Sequence, residues 1–162
     1  MEQLMKTGSA CFILYKNETI LIHRDTNERT INPDTNGLPG GGFDRKKDRN
    51  ELDTIVRELF EELRLDICED RFKKVGTEWL TELHLKNHFF KLNLTEHEVA
   101  KIRLKEGKTY DFFSFSKIQD LYALGPIPGG LGGAIWRFMC NEPEIIEDIL
   151  LGKKNTFVID RK

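Results

Sequence analysis

The sequence lacks the features that mark several classes of protein. Its three cysteines are an odd number, lie far apart and form no C-x-x-C pair. This favours free thiols in a reducing compartment over a disulfide framework. No apolar run is long enough for a signal peptide or a transmembrane helix. A cytoplasmic location is therefore expected, with no membrane partner.

The chain also lacks a strong charge of either sign. Its 162 residues contain 25 Lys and Arg against 27 Asp and Glu, which leaves a net charge of −2. Nothing in this balance attracts nucleic acid or an anionic membrane. The composition is 39% hydrophobic and 32% charged, as in a globular protein, and the length suits one domain over residues 1–162. A protein of this charge that binds phosphates needs a local cation.

Apolar runs separated by turn residues predict the secondary-structure elements. Their order along the chain is strands, one helix, strands and then helices. This order predicts a mixed α/β domain with helices on the faces of sheets. The expected strands are residues 9–15, 19–23, 72–80, 86–94 and 110–115. The expected helices are one carrying apolar residues from 52 to 63 and others at 96–103, 116–121, 134–140 and 144–151, with Pro143 interrupting the last two.

Capping-box patterns predict where three of these helices begin. The pairs are Asp48 with Glu51, Thr95 with Glu98, and Ser116 with Gln119. Two loops complete the outline: a long polar one at residues 25–36 and a glycine-rich one at residues 125–133. Loops as long as the first are often functional.

Three glutamates on the first helix are the most informative feature. Glu58, Glu61 and Glu62 have the spacing i, i+3, i+4 and follow the glycine turn of residues 40–42. Like charges at this spacing destabilise a helix by roughly 0.2–0.5 kcal/mol per pair. A divalent cation with oxygen ligands would turn this repulsion into affinity. The alternative to a metal site is an ordinary solvated acidic face, in which the glutamates pair with basic residues one helical turn away.

The segment LPGGGFD followed by RELFEELRL resembles the Nudix box, G-x5-E-x7-R-E-U-x-E-E-x-G-U, where U is apolar. The second half of the box is matched by Arg57, Glu58, Leu59, Glu61, Glu62 and Leu65. Two departures stand out. Arg64 replaces the box glycine, and a two-residue insertion before the helix puts Lys47 where a glutamate is expected. Asp48 or Glu51 is expected to replace that acid, whose role in the family looks structural.

The resemblance implies an α/β/α sandwich with a mixed sheet that hydrolyses nucleoside diphosphates linked to another group, X. It also implies Mg²⁺, with Mn²⁺ as an alternative, bound mainly by Glu61 and Glu62. Glu58 would be a further ligand or the base that orients water, and the carbonyl of Gly40 would complete the shell. Lys105-Glu106-Gly107 resembles the family's distal site, which would bring in Glu106. Arg57 would hold the glutamates as an ion pair, with phosphate contact as the lesser role.

Other candidate sites are weaker. His84 and His88 lack the glutamate of an H-E-x-x-H motif, and residues 129–133 lack the G-K-[ST] of a P-loop. Arg24 and Arg29 flank the long loop as possible phosphate contacts, although solvated charges are the better interpretation. Five aromatic residues in predicted strands are mainly core, with one available to stack on a base: Trp79, Phe89, Phe90, Phe112 and Phe113.

Three functions are compatible with these patterns. The first is a Mg²⁺-dependent pyrophosphohydrolase acting on a small nucleotide such as a (d)NTP, or on a nucleotide sugar or ADP-ribose. The second is a catalytically silent module that binds a nucleotide as a sensor. The third, an acidic helix that docks a basic partner, is supported by the charges alone. The sequence does not predict X, the nucleoside or the oligomeric state.

Overall fold

The computed structural model describes residues 4–23, 35–107, 109–123 and 133–162. The strands are β1 (Lys6–Tyr15), β2 (Glu18–His23), β3 (Asn36–Gly37), β4 (Gly40–Gly42), β5 (Lys73–Leu80), β6 (Leu85–Asn93), β7 (Thr109–Phe113) and β8 (Phe157–Arg161). The helices are α1 (Glu51–Leu63), α2 (Glu96–Ala100), α3 (Phe115–Tyr122), α4 (Ala134–Asn141) and α5 (Pro143–Leu150). Most of the predicted loops at 25–36 and 125–133 lie outside these residues.

In the described part of the chain, the strands form one mixed sheet of eight strands. Six follow the order β3-β2-β1-β6-β5-β8, while β4 pairs with β1 and β7 pairs with β2. The β1–β6 and β5–β8 pairs are parallel, and the other pairs are antiparallel. No helix among the described residues is long and apolar enough to cross a membrane.

Strand β1 is apolar from Ala10 to Leu14 because both faces of the sheet are covered there. Ala10, Phe12 and Leu14 pack into one buried cluster together with α3, α4 and α5. Cys11 and Ile13 face the other way, into a second cluster with α1. Alternate side chains of a strand point to opposite faces, so the sheet is the middle layer of three. The predicted α/β/α sandwich with a mixed sheet is confirmed.

Helix α1 begins two residues later than its predicted capping box implies. The N-cap is Asn50, whose side chain accepts a hydrogen bond from the Asp53 N–H at 2.9 Å. The predicted N-cap at Asp48 is wrong because that carboxylate is buried and binds Arg57. The capping box predicted to begin at Ser116 is also wrong, since Ser114 caps α3. The box at Thr95 and Glu98 is confirmed.

The C-terminal strand β8 was not predicted, and α2 is shorter than predicted. Strand β8 lies beside β5, where the Arg161 guanidinium donates to the fully buried Glu78 carboxylate at 2.8 Å. Arg137 of α4 donates to the same carboxylate at 2.8 Å. Helix α2 stops at Ala100 because the chain then turns to bond with the end of α1, through the Arg103 N–H and the Leu63 carbonyl at 2.9 Å.

The end of α1 explains how the chain accommodates Arg64 in place of the box glycine. Arg64 has a φ of 55°, in the left-handed region, and its N–H donates to the Phe60 carbonyl at 3.0 Å. A residue other than glycine costs roughly 1 kcal/mol in this conformation. The guanidinium lies 5.0 Å from the centre of the Phe60 ring, a cation–π contact that offsets part of that cost.

Replacing Arg64 separates these two effects. Both Arg64→Gly and Arg64→Ala lose the contact with Phe60, but only the glycine removes the backbone strain. We expect the glycine variant to have the higher free energy of unfolding, by about 1 kcal/mol. Urea unfolding of the two variants measures this difference. A glycine variant no more stable than the alanine variant would contradict this account of the helix end.

Candidate active site

Helix α1 combines a buried apolar stripe with the three glutamates. Ile55, Leu59 and Leu63 are fully buried against the sheet. Glu58 and Glu61 lie at the side of this stripe and are partly exposed, with side-chain exposures of 13% and 34%. Glu62 is itself buried. Burial of a carboxylate requires hydrogen-bond partners, and strand β4 supplies one.

Strand β4, which stands where the sequence predicted a glycine turn, approaches the glutamates closely. The Gly40 N–H donates to Glu62 Oε1 at 2.9 Å. A Cβ atom at Gly40 would collide with the Ser9 carbonyl oxygen, and one at Gly41 would collide with the Glu58 carboxylate. Glycine is therefore required at position 40, where the obstacle is backbone and φ is 153°, whereas a side chain at position 41 would displace the Glu58 carboxylate.

Arg57 links the acidic face to the preceding loop. Its Nη1 atom lies 3.0 Å from Glu58 Oε1 and 3.2 Å from Glu61 Oε2. Its Nε and Nη2 atoms donate to the two carboxylate oxygens of Asp48 at 2.9 and 2.8 Å, and Nη2 also donates to the Gly42 carbonyl at 3.0 Å. The guanidinium thus lies between two carboxylates that would otherwise repel each other.

Asp48 is the acidic partner of Arg57 in the loop before α1. Besides Arg57, its carboxylate accepts hydrogen bonds from the Asp44 N–H at 2.9 Å and the Thr54 hydroxyl at 3.0 Å. Of the two expected replacements, Asp48 is the one that pairs with Arg57. Glu51 instead lies 3.1 Å from the Lys74 ammonium. The insertion therefore changes the loop while preserving an acidic partner for the arginine.

The remaining predicted residue, Glu106, approaches from a separate segment. The Lys105 N–H donates to the Glu62 carbonyl at 2.7 Å, which fastens this segment to the end of α1. The pKa of Glu58 is raised by burial, against the lowering effect of Arg57, with further increases from the charges of Glu61 and Glu106. Several acidic groups therefore act on the same small region.

These residues match the chemistry of a hard divalent cation, which prefers carboxylate and carbonyl oxygens. The pKa of Glu58 is raised by its burial and by the charges of Glu61 and Glu106, and the Arg57 guanidinium already lies between Glu58 and Glu61. Across the described ranges, however, no three His, Cys, Asp or Glu side chains form a cluster arranged to hold a metal ion. Glu62 bonds to Gly40, while Glu58 and Glu61 bond to Arg57, so metal binding requires their side chains to reorient.

The other candidates do not join this region. His84 occupies a left-handed turn before β6, and His88 is buried in that strand. Arg24, Arg29 and residues 129–132 lie outside the described residues. One contact was not predicted: the Lys47 ammonium lies 3.9 Å from Glu61 Oε1. The only signal for it in the sequence is the insertion, which puts a lysine where the box has an acid.

Three solved structures resemble this chain along much of its length. A Nudix hydrolase from Nitrosomonas europaea has a TM-score of 0.68 and 15% identity, covering 99% of this chain and 81% of its own. A MutT protein from Methanosarcina mazei Go1 has a TM-score of 0.59 and 20% identity, covering 86% and 96%. The chain has the Nudix hydrolase fold.

A third similar structure carries ligands. It is a bifunctional NMN adenylyltransferase/ADP-ribose pyrophosphatase from Francisella tularensis, complexed with AMP and a manganese ion. Its TM-score is 0.55 at 15% identity, over 75% of this chain and 37% of its own. No family model matches the sequence, and no curated protein matches it. The likeness to the Nudix fold therefore rests on structure.

The pairing of Asp48 with Arg57 makes a prediction about acid stability. Hydrogen bonds from Arg57 hold the pKa of Asp48 at about 2, below its ordinary value of 3.8. A lowered pKa stabilises the fold above pH 4, and this contribution is lost as the pH falls towards 2. We expect Asp48→Asn to lower the free energy of unfolding by about 2 kcal/mol at pH 7.

The difference between wild type and this variant should shrink steadily between pH 4 and pH 2. Denaturant unfolding across that range measures it. Asp66→Asn, which changes an exposed carboxylate, is the matched control and should have little effect. A difference that stays constant down to pH 2 would show that Asp48 is not stabilised as a charged group.

Proposed function

We propose that this protein is a Mg²⁺-dependent pyrophosphohydrolase that cleaves the diphosphate of a nucleoside diphosphate linked to X. The observation that carries the proposal is the acidic face of α1. There Glu58, Glu61 and Glu62 meet a strand of three glycines, with Arg57 between two of the carboxylates. The Nudix fold and the manganese in one structural relative support the same reading.

A cation is needed because both the diphosphate and the proposed site are negatively charged. A diphosphate is strongly anionic, and the protein has a net charge of −2 with acidic groups concentrated at this site. When bound, the metal would neutralise the phosphate oxygens and activate an attacking water. Mg²⁺ suits an all-oxygen donor set, and Mn²⁺ accepts the same ligands.

Each side chain has a proposed role that follows from its position in the site. Glu61 and Glu62 are the proposed principal metal ligands, with the Gly40 carbonyl and Glu106 completing the shell. Glu58 has two candidate roles, as a further ligand or as the base that orients water. Its burial, which raises its pKa, makes it a better proton acceptor than an exposed glutamate. Arg57 acts as a positioning residue, because Asp48 holds it in place.

The proposed substrate is a small nucleotide such as a (d)NTP, because the described chain is compact and shows no further region for a large X. A nucleotide sugar or ADP-ribose is the alternative, and ADP-ribose appears in the name of one structural relative. The fold alone does not choose between them, since specificity lies in a few side chains around the ligand.

One observation favours a second function, a catalytically silent nucleotide sensor. In the described part of the chain, the glutamates are occupied by Arg57 and the Gly40 N–H and do not form a metal cluster. A protein that kept this arrangement would hold no metal at these glutamates to activate a water, so it would not hydrolyse a nucleotide that it bound. The intact set of three glutamates favours the hydrolase, because a binder does not require all of them.

A substrate panel distinguishes the two functions. With Mg²⁺ present, we expect hydrolysis of at least one of the NTPs, nucleotide sugars, ADP-ribose and dinucleoside polyphosphates. Phosphorus NMR in ¹⁸O-water would then identify the phosphorus that water attacks. Tight Mg²⁺-dependent nucleotide binding with no turnover on the whole panel would instead support the sensor.

Conservative substitutions test the ligand roles. Glu61→Gln and Glu62→Gln keep the size of the side chain, and a glutamine Oε1 at position 62 can still accept the Gly40 N–H. We expect turnover to fall by about 100-fold or more, beyond the loss typical of residues that only support a metal ligand. Thermal unfolding should stay close to wild type.

The matched control for this experiment is Glu96→Gln, which removes an exposed carboxylate in the first turn of α2. It should keep the wild-type rate. Near-normal turnover in either Glu61→Gln or Glu62→Gln would refute the assignment of that residue as a principal ligand.

A further inference from the structure

The inserted loop places a second cation at the proposed metal site. We propose that Lys47 positions the substrate's diphosphate: it pairs with Glu61 in the metal-free protein and transfers to the phosphates when Glu61 turns to a bound metal. This inference rests on the proposed function. It concerns a residue that stands where the Nudix box has an acid, so the box pattern does not imply it.

The two oxygens of Glu61 face different cations. Lys47 Nζ lies 3.9 Å from Oε1, and Arg57 Nη1 lies 3.2 Å from Oε2. A metal that binds this carboxylate would compete with both neighbours, because cations gathered around one carboxylate repel one another. The question is therefore which cation leaves.

Arg57 is the more firmly held of the two. Its side chain is 18% exposed and donates two hydrogen bonds to Asp48 and one to the Gly42 carbonyl. The Lys47 side chain is 58% exposed, and its only other charged neighbour in the described ranges is Asp44 Oδ2 at 4.0 Å. Exposed ion pairs of this length contribute little, so Lys47 leaves and Arg57 stays.

The backbone keeps Lys47 beside the site after its ammonium is released. The N–H groups of Lys47 and Asp48 both donate to the Asp44 carbonyl, at 3.0 and 2.7 Å. The Asp44 N–H in turn donates to the buried Asp48 carboxylate at 2.9 Å. The released ammonium therefore stays within a side chain's length of the metal site, where a phosphate would be the nearest new anion. Lysine binds phosphate as a compact point charge.

The proposal predicts opposite effects on two affinities, which a purely structural role would not produce. Removing the ammonium frees Glu61, so the metal alone should bind more tightly. It also removes a partner of the phosphates, so the diphosphate should bind more weakly. Lys46→Gln is the matched control, because it removes the same charge one residue away, from a lysine that forms no ion pair among the described residues.

The experiment is calorimetric titration of the full chain, carried out without turnover. Mn²⁺ alone is the first probe, and methylenediphosphonate in saturating Mg²⁺ is the second, because it resembles a diphosphate and carries no nucleoside. We expect Lys47→Gln to bind Mn²⁺ about threefold more tightly than wild type. It should bind the analogue about fivefold more weakly. Lys47→Arg should restore binding of the analogue.

The outcomes separate this inference from the proposed function. If wild type binds both probes but Lys47→Gln behaves like Lys46→Gln, or shifts both affinities in the same direction, the role of Lys47 is refuted and the metal site stands. If wild type binds neither Mn²⁺ nor the analogue, both proposals fail. Thermal unfolding of Lys47→Gln at the wild-type temperature excludes a loss of structure as the cause.

Discussion

The arrangement of the acidic helix depends on the ion pair between Arg57 and Asp48. Asp48 is buried and orients the guanidinium through two hydrogen bonds. The guanidinium in turn holds Glu58 and Glu61 together on the side of α1 that meets β4. The pair also anchors the loop before α1, because Asp48 accepts the Asp44 N–H. One interaction therefore links a surface loop, a helix and the candidate metal ligands.

This pair also explains why the chain accommodates a two-residue insertion. The insertion moves a lysine into the place of the expected acid, but an aspartate one residue later reaches Arg57 instead. The second departure, Arg64, is accommodated separately by stacking on Phe60. One departure precedes α1 and the other follows it, so neither interrupts the run that contains Glu58, Glu61 and Glu62, although Lys47 of the loop lies 3.9 Å from Glu61 Oε1. The chain can therefore differ from the Nudix box in sequence while keeping the acidic face of the helix.

Most of the helices and strands were predicted from the sequence, but not all of the residues at which they begin and end. Strand β1 and helix α1 were recognisable because apolar spacing is a local property. The start of α1 was misplaced because Asp48 satisfies both a capping pattern and a distant arginine, and only the fold shows which partner it takes. Strand β8 was missed because its pairing depends on Glu78, which is 83 residues from Arg161. The Lys47 contact was missed for the same reason, since no spacing rule links an inserted loop to Glu61.

The central claim is that the glutamates of α1 bind a divalent metal beside Gly40. The most direct test is a crystal of the protein soaked in Mn²⁺, with data collected to locate the manganese by its anomalous scattering. The account predicts one or more manganese peaks within about 2–2.5 Å of carboxylate oxygens of Glu61 and Glu62. It also predicts that the Arg57–Asp48 pair remains intact. A fully soaked crystal with no peak at this face, and with Glu62 still bonded to the Gly40 N–H, would contradict it.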